Sequence, residues 1–85
     1  MGPLYLISYD LITPGKDYQP LWDALYAMGA VRILYSQWLV RRAFTTPVDL
    51  ANALLAHMDA NDRIFVTEVP PNYAYRTLMA DPQAA

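Results

Sequence analysis

Eighty-five residues with no cysteine and a formal charge of −2 give one small domain. Apolar residues make up 55% of the chain and charged ones 16%, which excludes a disordered polymer. The lack of cysteine excludes a disulfide framework, a thiolate zinc site and a cysteine nucleophile. A reducing, cytoplasmic setting is expected. The longest uncharged run, Met1 to Tyr9, is too short for a secretory signal or a membrane span, so no membrane partner is expected.

Leu4 to Leu11 is an almost continuous apolar and aromatic run and predicts a buried strand. Ile12-Thr13-Pro14-Gly15-Lys16-Asp17 carries turn chemistry. A helix is predicted from about Gln19, with Pro20 in its first turn and Gly29 as its stop. Leu21, Leu25 and Met28 recur at i, i+4 and i+7, and Trp22 and Tyr26 widen that stripe. Val31 to Ala43 is too long for one ordinary strand, and Ser36-Gln37 divides it into Val31–Tyr35 and Trp38–Arg42. A second helix starts at Thr46-Pro47-Val48-Asp49, with Thr46 as cap and Leu50, Leu54, Leu55 and Met58 as its buried face. After the polar turn Asp59-Ala60-Asn61-Asp62, Arg63 to Val69 is the last strand, and Pro70-Pro71 stops it. Residues 1–71 are then the domain, and 72–85 form a C-terminal segment that frays from about Asp81.

The order β-α-β-β-α-β predicts an α+β, ferredoxin-like sandwich: a four-stranded antiparallel sheet with both helices on one face. The strands do not alternate cleanly between apolar and polar, so a single copy would leave a large apolar face open. A two-fold homodimer is the expected remedy, with Tyr5, Ile7, Tyr9, Trp38, Phe65 and Val69 at its interface.

Several segments resemble a known group. Leu4-Tyr5-Leu6-Ile7-Ser8-Tyr9-Asp10 resembles the first strand of the CRISPR-associated Cas-two proteins and the related VapD toxins. Leu34-Tyr35-Ser36-Gln37-Trp38 is similar to their strand–Ser–x–aromatic signature, and Asp62-Arg63-Ile64-Phe65-Val66 to their closing strand. Tyr9-Asp10-Leu11, Pro14-Gly15-Lys16-Asp17-Tyr18, Trp38-Leu39-Val40 and Asn61-Asp62-Arg63 are similar to segments of the SinR-like set. The resemblance covers roughly residues 4 to 69. It implies a ferredoxin-like homodimer that is either a metal-dependent nuclease, with Asp10 from each subunit facing across the dimer axis, or a non-catalytic scaffold for partner proteins and DNA. The Pro-rich stretch after Val69 departs from the family pattern.

Asp10 is the candidate catalytic and metal-binding residue, because a pair of strand-end carboxylates could hold one Mg²⁺ and activate its water. The alternative task for Asp10 is to accept hydrogen bonds from the Thr13–Lys16 loop. Arg41 and Arg42 are candidate phosphate contacts, or else pair with acidic groups. Six basic residues against eight acidic ones disfavour nucleic acid as a partner, since phosphate neutralisation supplies much of such binding. Ser36 is expected to satisfy backbone at the bend, and His57, the only histidine, to be a solvated residue. Trp22, Trp38 and Phe65 could stack bases, but helix-stripe and strand-face positions point to packing. Two functions follow. One is a homodimeric, non-catalytic binding or scaffold protein with a protein partner, in a phage, mobile-element or defence setting and needing no cofactor. The other is a Mg²⁺-dependent endonuclease of RNA or DNA that uses Asp10.

Overall fold

A computed structural model describes residues 2–85. The elements are β1 (Leu4–Asp10), α1 (Gln19–Ala27), β2 (Val31–Leu34), β3 (Gln37–Arg41), α2 (Pro47–Leu55) and β4 (Arg63–Glu68), followed by a single 3-10 turn, Pro82–Ala84. The sheet runs β2-β3-β1-β4 with every neighbouring pair antiparallel. This is the ferredoxin-like α+β arrangement expected of the element order.

The helices form where local chemistry starts and stops them. Thr46 is extended, and its hydroxyl accepts the Asp49 N–H at 3.1 Å, so α2 begins capped, with Pro47 in its first turn. In front of α1 the Asp17 carboxylate accepts the Gln19 N–H at 2.9 Å. Gly29 closes α1 in the left-handed region, at φ 84°, where a side chain would be strained. Gly2 has a steric constraint as well, because a Cβ there would lie 2.6 Å from the Ala43 backbone.

Strand register sorts the side chains between the two faces. Ile7 pairs with Trp38 and Val66, Tyr5 with Val40, and Tyr9 with Ile64. This set faces the helices and, with Leu21, Leu25, Leu50 and Leu54, forms the main core. Burying each of its large side chains is worth about 1.5–3 kcal/mol. Leu55 is an exception to the expected α2 face: it is 45% exposed, because it lies about 100° around the helix from Leu54.

The opposite face carries Leu4, Leu6 and Leu39, with Ile33 from β2. Val69, Leu78 and Ala85 pack against it, so the segment after Pro70-Pro71 folds back across part of this face. One backbone bond ties that segment to the sheet, from the Met79 N–H to the Ile33 carbonyl at 2.9 Å. Pro82, in the stretch that reads from sequence as a tail, is fully buried. Among the described residues no helix is long and apolar enough to cross a membrane.

The expected interface set therefore needs correction. Tyr5, Ile7, Tyr9 and Trp38 are all at most 4% exposed and lie beneath the helices of their own chain, so they cannot meet a second copy. Only Phe65 and Val69 of that set sit on the other face, in register with Ser8 and beside Leu4. β1 carries Leu4 and Leu6 on one side and Tyr5, Ile7 and Tyr9 on the other, so only Ser8 and Asp10 at its end mark the side the helices leave open.

Candidate functional site

Asp10 ends β1 on the face away from the helices, opposite Arg63 of β4. The two side chains approach to 3.9 Å and are 70% and 76% exposed, an ion pair in water that adds little stability. A shallow cleft of about 130 Å³ lies between Ser8, Asp10, Arg63 and Phe65. Among the described residues, no three His, Cys, Asp or Glu side chains converge on a metal-sized site. Within one chain Asp10 is thus a lone carboxylate beside a cation.

Nor does Asp10 receive the loop's hydrogen bonds. Asp62 does, accepting from the Ile12 N–H at 2.8 Å and the Tyr18 hydroxyl at 2.7 Å. Asp62 also takes the Asp59 N–H at 2.8 Å, and Asp59 accepts the Thr13 hydroxyl at 2.8 Å. The turn after α2 thus clamps the β1–α1 loop. Desolvation opposes ionisation of Asp62, but the donors from Ile12, Asp59 and Tyr18 outweigh it and hold its carboxyl below the ordinary value. The Thr13 hydroxyl does the same for Asp59. Desolvation, then the bond to Asp62, raises the Tyr18 hydroxyl above its usual value. The sequence shows this turn only as a polar stretch, because Tyr18, its main side-chain partner, is 44 residues away.

Arg41 and Arg42 sit at the far end of the sheet. Arg41 pairs with Leu4 at the start of β1, whereas Asp10 ends that strand, a separation of about 20 Å along it. Arg41 donates to the Gly2 carbonyl at 3.2 Å, and Arg42 is exposed. The basic pair and the candidate acid do not form one site. At the bend it is the Ser36 backbone carbonyl, and not its hydroxyl, that accepts the Tyr9 N–H of β1, at 3.1 Å. His57 lies just beyond α2 and is half-buried.

Trp38 is buried in the core and Trp22 is half-buried against it. The Tyr9 hydroxyl accepts from Trp38 at 2.9 Å and Trp22 at 3.1 Å, which satisfies the indole N–H of the buried Trp38 and of the half-buried Trp22. The Arg32 guanidinium lies 5.3 Å and 5.4 Å from the centres of these two indole rings. Trp38, fully buried, therefore offers no stacking platform for bases.

The solvent-facing side of the sheet is mixed, with Leu34 and Phe65 exposed on it beside the charged pair Asp10 and Arg63. Leu34, Gln37, Ser8 and Phe65 fall in one row across the four strands, with Leu34 43% and Phe65 65% exposed. Beside that row an apolar groove of about 280 Å³ runs between Leu6, Leu34 and Leu39 of the sheet and Tyr73, Tyr75 and Leu78 of the returning segment. No protein-family model matches this chain, and no solved structure matches it significantly.

Proposed function

We propose that this chain is a small homodimeric binding or scaffold protein without catalytic activity of its own. The observation that carries the reading is the sheet face. Even after the C-terminal segment covers Leu4, Ile33 and Leu39, Phe65 and Leu34 remain exposed in one row, with Tyr73 and Tyr75 exposed beside it. Leu34 with Tyr73 and Tyr75 makes one exposed apolar patch and Phe65 a second at the other margin, and exposed apolar patches mark protein interaction sites. A single exposed carboxylate paired with Arg63 supports contact chemistry better than hydrolysis. The acidic charge balance favours a protein partner over nucleic acid. The resemblance to Cas-two-like, VapD-like and SinR-like proteins supports a phage, mobile-element or defence setting.

The competing reading, a Mg²⁺-dependent endonuclease, draws on the position of Asp10 at a strand end. Labelled RNA and DNA are incubated with the chain and with its Asp10→Ala variant, with and without Mg²⁺. Neither protein is expected to cleave. Mg²⁺-dependent cleavage by the natural chain alone would replace the binding reading with the enzyme reading.

A further inference from the structure

β4 is an outer strand. One of its edges pairs with β1, and among the described residues no strand pairs with the other. The Val69 N–H donates to the Leu4 carbonyl at 2.8 Å, which fixes the phase of the strand. Backbone groups alternate sides along a strand, so those of Arg63, Phe65 and Thr67 turn toward β1, and those of Ile64, Val66 and Glu68 turn outward. Natural outer strands are commonly blunted by proline, lysine or a bulge. Arg63–Glu68 contains no proline or lysine, and its register with β1 is unbroken from Glu68 to Arg63.

We infer that this outward edge is the self-pairing surface: a second copy adds its own β4 antiparallel to the first, making one sheet continuous through both copies. The inference rests on the homodimer reading and names where the two chains meet. A two-fold axis sets the strand against itself, so each residue meets one from the same face of the sheet. Two registers keep most of the strand paired with outward groups facing outward groups. In the one centred on Phe65, Ile64 and Val66 are bonded and Glu68 runs past the second strand; in the one centred on Val66, all three are bonded. One opposes Phe65 to Phe65 of the second copy and Ile64 to its Val66, with Arg63 against Thr67. The other opposes Val66 to itself, but sets Ile64 against Glu68 and Phe65 against Thr67. The first matches aromatic with aromatic and apolar with apolar, the pairs that stabilise sheets, and opposes no like charges within the strand. It also covers Phe65, which is 65% exposed in one chain. A formal charge of −2 leaves little repulsion between the copies.

Phe65→Lys and Phe65→Glu place like charges opposite each other in this register without touching the core. Sedimentation should show the natural chain at twice its single-chain mass, and each variant weakened about tenfold or more in self-association. An equimolar mixture of the two variants should recover the double mass. In the natural dimer the amide hydrogens of Ile64 and Val66 should exchange about tenfold or more slowly than in Phe65→Lys, at a concentration where that variant is monomeric. A Phe65→Lys protein that keeps the double mass, a mixture that stays light, or fast exchange at Ile64 and Val66 in a dimer each overturns edge pairing while leaving the homodimer reading intact. A natural chain that sediments as a single copy overturns both.

Discussion

Asp59 and Asp62 show how single side chains set the pH range of this fold. Both are held below the ordinary carboxyl value in the folded state by hydrogen bonds that the unfolded chain lacks. A depressed folded value stabilises the protein above the unfolded value and ceases to do so as pH falls through the folded one. Tyr18 is raised, so its contribution is lost at the other end, as pH climbs past its ordinary value near 10. The melting midpoint, followed by circular dichroism, is expected to be flat between about pH 5 and 9, falling below about pH 4 and above about pH 10. Asp62→Asn should lower the midpoint at neutral pH and make the acid fall shallower. An unchanged acid fall in that variant would mean that the clamp does not govern it. None of this is legible in the sequence, where Asp10 draws attention as the strand-end acid; only folding brings Ile12, Thr13 and Tyr18 to the turn.

Element boundaries were legible because they depend on neighbours in the chain. Thr46-Pro47 starts α2, Gly29 ends α1, and Pro70-Pro71 follows β4 in the order these residues dictate. Thr46→Ala removes the acceptor for the Asp49 N–H and should cost about 0.5–2 kcal/mol in urea unfolding. A change below about 0.3 kcal/mol would show that solvent satisfies that donor equally well. The facing of the strands was only faintly legible, because Leu4 and Leu6 make the outward side of β1 apolar for most of its length and only Ser8 and Asp10 mark it as open. What decides it is tertiary: the Tyr9 hydroxyl meets Trp22 and Trp38 only on the helix side. The same choice leaves Phe65 outside, in register with Ser8.

At the scale of the molecule, one sheet serves two surfaces of unequal quality. The helix side is filled by large side chains that exclude solvent almost completely. The other side is covered only in part, by a C-terminal segment with a single backbone bond to the sheet edge and a few apolar anchors. The exposed row from Leu34 to Phe65 and the unpaired edge of β4 lie on this weaker side and at its margin. Self-association through β4 takes Phe65 and the unpaired edge out of water and leaves Leu34, Tyr73 and Tyr75, near the other margin, for a partner. The most direct measurement is the mass in solution by light scattering across a dilution series. At micromolar concentration the expected result is twice the 9.6 kDa of one chain, falling toward the single-chain value on dilution. A constant 9.6 kDa particle at every concentration would contradict it.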